Sequence, residues 1–154
     1  MILSDVEIKE AIDKKQIGVY GWNPLYIGPC SIDLHLDNKA MILKQGEEFT
    51  RTLRIDRKEE SAKMFEEYND WEELTIYPNE FYILSTIERI SFPRDVCGFI
   101  QGRSSIARMG LNIHAAGFFD VGFSGTATLE VTNPVLRRVL ADGIPNWIEM
   151  AYGL

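Results

Sequence analysis

A chain of 154 residues, 45% hydrophobic and 25% charged, has the size and composition of one globular domain, and a core of that size buries most of its apolar surface. No apolar run approaches the roughly 18 residues of a membrane span, and the opening MILSDVEIKEAI passes from three apolar residues to acids, where a secretory signal needs a basic start and a long apolar middle. The net charge of -7 argues against a binder of nucleic-acid backbones, which are held by many Lys and Arg contacts, but leaves room for a small anion bound locally. A single cytoplasmic domain spanning 1–154, with neither membrane nor nucleic acid as partner, is therefore expected. Cys30 and Cys97 are far apart and form no CxxC, so free thiols are expected in preference to a disulfide scaffold or a zinc ribbon.

In chain order, Ser4 and Glu7 have capping-box spacing, and Ile8, Ala11 and Ile12 share a helical face, which predicts a helix over about residues 4–16. From Pro29 the period changes. In SIDLHLDN, Ile32, Leu34 and Leu36 alternate with Asp33, His35 and Asp37, the signature of a half-buried strand. Residues 51–73 are dense in both signs of charge, with Met64, Phe65, Tyr68 and Trp71 at near-helical intervals; a solvated excursion with a short docked helix is expected. LTIYPNEFYILSTIERISFP supplies two strand-like runs around a Pro-Asn turn, and VCGFIQG a further short strand. Short strands punctuated by Gly, Pro and Asn, with one good helix, predict a mainly β fold, a compact barrel or jelly roll.

Two segments carry chemistry. In GRSSIARMG the serines stand where an N-cap would, Ile106 to Met109 make about one turn, and Gly110 occupies a left-handed C-terminal position. With Arg103 before it, this start is either a capped structural turn or a pocket for phosphate or carboxylate. It lacks the Walker pattern. Arg103 and Arg108 point roughly 140° apart on helical geometry, so different tasks or different subunits are expected of them. In HAAGFFDVGFSGTATLEVTN, Gly122 and Gly125 bend the chain after Asp120, and Ala127, Leu129 and Val131 then alternate with Thr126, Thr128, Glu130 and Thr132. Glu130 thus shares a polar face with threonines, either as a solvent-facing strand residue or as a carboxylate in a polar pocket, raised toward general acid and base duty. Asp120 is either a turn residue or a reader of a substrate hydroxyl. His114, with no second His or Cys at ligand spacing, is expected to be a satisfied core or interface histidine, and no protein-bound metal is indicated.

The segments MILSD, GPCSIDLHLDN, GRSSIARMGL and AAGFFDVGFSGTATLEVTN, in this order, resemble the dCTP deaminase family, which shares a fold with trimeric dUTPases. The resemblance covers most of residues 1–133 apart from the charged excursion. It implies a homotrimer of distorted jelly-roll subunits, with active sites at subunit boundaries and a nucleoside triphosphate, dCTP or dUTP, bound with magnesium. On matching positions, Arg103 and Ser105 would meet the phosphates. Ser104, Arg108 and the Ala116 carbonyl would place the reacting water and base. Asp120 would hold the deoxyribose, Gly117 and Phe118 would complete the substrate-binding segment, and Glu130 would move protons. Zinc deaminases carry H-x-E and P-C-x-x-C, and neither occurs in the chain, so no zinc is expected and magnesium would sit on phosphate oxygens.

A glutamate at the position of Glu130 favours deamination over a dUTPase of the same fold. AAGFFD is more similar to the bifunctional members, which carry dCTP through dUTP to dUMP, than to those that stop at dUTP; Asp120 would then be the base of the second hydrolysis. A plain dUTPase and a nucleotide-binding regulatory trimer without turnover are the alternatives. Against the family pattern, the C-terminal lid arm is expected to be missing, and LRRVLADGIPNWIEMAYGL only loosely resembles the last family strand, with Asp142 in place of a proline.

Overall fold

The structure, a computed structural model, describes residues 1–21, 23–44, 56, 58–135, 138–142 and 148–153. The N-terminal helix, α1, runs Asp5–Asp13 inside the predicted span. Ser4 caps it reciprocally: its hydroxyl accepts from the Glu7 N–H at 3.4 Å, and its own N–H donates to Glu7 Oε2 at 2.8 Å. This satisfies donors that the first turn leaves open. Ile8 is buried beneath it.

Strands follow as β1 (Gly18–Tyr20), β2 (Ser31–Leu34), β3 (Leu36–Leu43), β4 (Phe65–Asn69), β5 (Glu73–Ile76), β6 (Phe81–Ser91), β7 (Cys97–Gly102), β8 (Phe118–Phe119), β9 (Ser124–Thr132), β10 (Val139–Asp142) and β11 (Ile148–Gly153). Short helices, α2 (Lys58–Ala62) and α3 (Ser104–Arg108), interrupt them. The fold is mainly β, as expected, and among the described residues every strand pairing is antiparallel. One sheet is built on the long β6. Strand β9 runs along one of its edges, β3 and β1 share the other, and β4 extends β3. A second sheet has the order β2-β11-β7-β8, and β5 pairs, among the described residues, with β10 alone. The predicted alternation of Ile32, Leu34 and Leu36 holds, and these residues join Leu84, Ile90, Ile100, Leu129, Val131 and Met150 in one core.

The charged excursion differs from expectation. The part at 51–55 and 57 lies outside the described residues. The helical turn comes earlier than the spacing of Met64, Phe65, Tyr68 and Trp71 suggests, and Phe65–Asn69 is a strand paired with residues 39–43 of β3. Backbone pairing along the edge of β3 outweighs a weak helical spacing, because an open edge has donors and acceptors to satisfy. Asp70, at φ +57°, then turns the chain so that Trp71 is buried.

Strand β6 contains a wide bulge. Ser85 pairs with Thr128 and Arg89 with Thr126, so three residues of β6 face only Ala127 of β9. Side chains stand in for the missing ladder. Buried Thr86 donates its hydroxyl to the Glu88 carbonyl and accepts from the Ala127 N–H, both at 2.9 Å. Glu88, also buried, accepts from the His35 N–H at 2.9 Å and meets His35 Nδ1 at 2.7 Å, while the Ile87 N–H donates to the His35 carbonyl. Both cysteines are free thiols. Among the described residues no helix is long and apolar enough to cross a membrane.

Candidate active site

Gly102 ends β7, and the next residue, Arg103, keeps an extended ψ of 138° and occupies the N-cap position of α3. The serines are therefore the first two helical residues and not the cap, which corrects the expectation from sequence. The Arg103 side chain makes no capping hydrogen bond to the helix. Ile106 anchors α3 in the core, leaving Ser104, Ser105 and Arg108 exposed. Gly110 has the predicted left-handed backbone, at φ +93°. The Arg103 guanidinium reaches Asp33 on β2, with Nη1 donating to Oδ2 at 2.7 Å.

Beyond α3 the chain crosses from one sheet to the other. Asn112 bridges Thr132 of β9 through N–H···O contacts of 3.0 and 2.8 Å. Five residues later the Gly117 carbonyl accepts from the Ile100 N–H of β7 at 2.8 Å, and Phe118–Phe119 pair with Phe99 and Gly98. This strap, residues 112–119, passes over the polar face of β9. There Glu130 Oε2 accepts from the Ala115 N–H at 3.1 Å and the Ala116 N–H at 3.3 Å. Glu130 is half-buried beside exposed Thr128, while Ala127, Leu129 and Val131 are fully buried on the opposite face. Its carboxylate is fixed by two backbone donors, so it is not a strand residue reaching freely into solvent.

Gly117 has no room for a side chain: a Cβ would stand 2.7 Å from the Ile100 carbonyl oxygen and 2.8 Å from His114 Cδ2. His114 was expected to be satisfied. Its Nδ1 is instead buried with no hydrogen-bond partner among the described residues. Phe118 stacks edge-on against Phe99, with ring centroids 5.1 Å apart. Asp120 is exposed at the corner of a turn in which its carbonyl accepts from the Phe123 N–H at 3.2 Å, and Gly122 takes φ +76°.

The structure thus brings Glu130 of β9 against the strap that carries Ala115, Ala116, Gly117 and Phe118, and places Arg103, Ser104, Ser105 and Arg108 at α3. Among the described residues no hydrogen bond or ion pair joins Ser104, Ser105 or Arg108 to Glu130. Sequence reasoning missed two parts. Asp33 read only as the polar half of an alternation, and it lies 70 positions from Arg103. The Ala115 N–H carries no side-chain signal at all.

A cavity of about 480 Å³ is lined by Glu66, Tyr68, Glu73, Tyr77 and Glu80; three carboxylates repel a triphosphate, and the cavity includes none of the residues above. Among the described residues no group of three or more His, Cys, Asp or Glu stands together as a metal site.

Residues 2–141 match the model of a family described as dCTP deaminase-like. A dUMP-forming dCTP deaminase of Nanoarchaeum equitans is 39% identical over 147 residues, an alignment covering 86% of this chain and 74% of the relative. One of Corynebacterium kroppenstedtii is 36% identical over 136 residues, covering 86% and 71%. The crystal structure of the 2'-deoxycytidine 5'-triphosphate deaminase from Agrobacterium tumefaciens superposes with a TM-score of 0.75 at 16% identity, covering 98% of this chain and 46% of that one, which is a likeness of fold. With the family motifs lying at α3, on the strap and on β9, and the match running through nearly the whole sequence, the chain belongs to the dCTP deaminase-like family.

Proposed function

We propose that the protein hydrolyses dCTP to dUTP and ammonia and carries the product on to dUMP and pyrophosphate. The observation that carries this reading is the Glu130 carboxylate, on the polar face of β9 and held by the Ala115 and Ala116 N–H groups. Water adds to C4 of cytosine while N3 gains a proton. The tetrahedral intermediate then loses ammonia after its amino group is protonated. One carboxylate beside the base can take one proton from water and deliver it to N3, then take the second from the C4 hydroxyl of the intermediate and deliver it to the amino nitrogen, so that the C4 carbonyl forms as ammonia leaves. Ser104, Arg108 and the Ala116 carbonyl place water and base, Asp120 and Phe118 border the sugar, and Gly117 lets the backbone approach the nucleotide. Arg103 and Ser105 bind the phosphate chain. Magnesium enters with the triphosphate, on its oxygens, as part of the substrate.

The dUMP-forming relatives support the second step, for which Asp120, exposed at its turn, is the base that activates water at the phosphate chain. We also propose a homotrimer in which α3 of one copy completes the Glu130 site of another. Among the described residues of one chain Glu130 bonds to the strap and not to Ser104 or Arg108, which supports this arrangement.

Incubation with magnesium and dCTP or dUTP, with ammonia, dUTP, dUMP and pyrophosphate measured, tests the reading. Ammonia and dUMP from dCTP are expected. Pyrophosphate from dUTP without any ammonia from dCTP would make the protein a dUTPase, and tight binding without products a regulatory nucleotide binder. Glu130→Gln keeps shape and removes the titrating proton, so ammonia release should fall roughly 100- to 10,000-fold with nucleotide binding largely kept. Undiminished deamination in that variant would remove Glu130 from the chemistry.

A further inference from the structure

We infer that Asp33 is the positioning residue for Arg103, holding its guanidinium in the orientation that receives the phosphate chain; this rests on the phosphate role proposed for Arg103. Asp33 and Gln101 both pair with Glu149, one from each side of β11. Arg103, two residues past Gln101, therefore reaches over β11 to make the 2.7 Å contact, tying β7 to β2. The Arg103 side chain is 34% exposed and that of Asp33 20%, so the pair sits half-buried at the surface of the sheet, where a ligand can reach it.

Asp33 is itself rigid, standing between Ile32 and Leu34, which are fully buried on the other face. A guanidinium is a planar fork with five donors, and a carboxylate fixed at one end sets the plane in which the rest of the fork meets a second anion. Without that anchor, more of the rotamer freedom of the Arg103 side chain has to be given up when the phosphate chain binds.

Binding of magnesium–dCTP and of dCMP to the full chain, measured by calorimetry, tests this with Asp33→Asn, Arg103→Gln, the double variant and Asp33→Glu. Asp33→Asn should weaken dCTP about tenfold and dCMP less than about twofold, since only the phosphate chain is read by Arg103. The double variant should bind dCTP no worse than Arg103→Gln alone, and Asp33→Glu should recover part of the loss. If Asp33→Asn does not fold, Asp33→Glu carries the same comparison, with a smaller loss still confined to dCTP. Equal weakening of dCTP and dCMP, or unchanged dCTP binding by Asp33→Asn while Arg103→Gln weakens it, would make the pair merely structural and leave the functional reading standing. Unchanged dCTP binding by Arg103→Gln would overturn both the inference and the phosphate role. Failure of the unaltered protein to bind either nucleotide would overturn the functional reading itself.

Discussion

Replacing Thr86 with valine exchanges one hydroxyl for a methyl group of nearly the same volume, at a position with no exposure. The hydroxyl makes two bonds at 2.9 Å, donating to the Glu88 carbonyl and accepting from the Ala127 N–H. The first is worth about 1 kcal/mol net, and the second matters more: valine leaves the N–H of fully buried Ala127 without a partner, at a cost of about 1–3 kcal/mol. Thr86→Val should therefore destabilise by about 2–4 kcal/mol. Thr86→Ser keeps both bonds and loses one buried methyl, for about 1 kcal/mol. Urea unfolding at fixed protein concentration, followed by circular dichroism, measures both. If Thr86→Val stays within about 0.5 kcal/mol of the unaltered protein, or proves more stable than Thr86→Ser, the hydroxyl is not what closes the bulge and the account of β6 is wrong.

Tyr82 and Tyr152 are both pushed well above the ordinary tyrosine value of 10.0, Tyr82 by burial and then by its hydrogen bond to Glu80, Tyr152 by burial and then by the charge of Glu88. A phenol raised in the folded state contributes stability that is complete below pH 10 and lost as pH climbs past it, because the unfolded chain ionises first. Phenolate absorbance from these two should accordingly appear only as the protein unfolds, and their ionisation near pH 10 in folded protein would contradict this. At the strap, Gly117→Ala places a methyl 2.7 Å from the Ile100 carbonyl. Displacement of the strap should cost about 1–3 kcal/mol and slow ammonia release, and an alanine variant with unchanged melting temperature and rate would show that the strap yields freely.

What was legible in the sequence was what repeats locally. Ser4 and Glu7 sit three residues apart, and the contact they make is the one their spacing implies. Ile32, Leu34 and Leu36, and Leu129 and Val131, alternate because one face of each strand is buried, so burial could be read from period alone. Pairings set by the path of the chain leave no such trace. Nothing in residues 65–69 announces that β3 has an edge to satisfy, and nothing near Asp33 points to Arg103. Glu130 could be placed on a polar face, yet its fixed orientation comes from amides 14 and 15 residues away, on a segment with no period at all. The resemblance to the family suggested what Glu130 would do; the strap that brings Ala115 and Ala116 to it had to be seen in three dimensions.

The offset across the bulge of β6 is two residues, from Ser85 opposite Thr128 to Arg89 opposite Thr126. Two is an even number, so the inward and outward sides of β9 keep their assignment from one end to the other. Chain length at this point is consequently quantised. Losing a single residue among 86–88 would turn Ile90 outward or force β9 to slide and hide Glu130 in the core, whereas relatives that have shed or gained a pair would keep both faces intact.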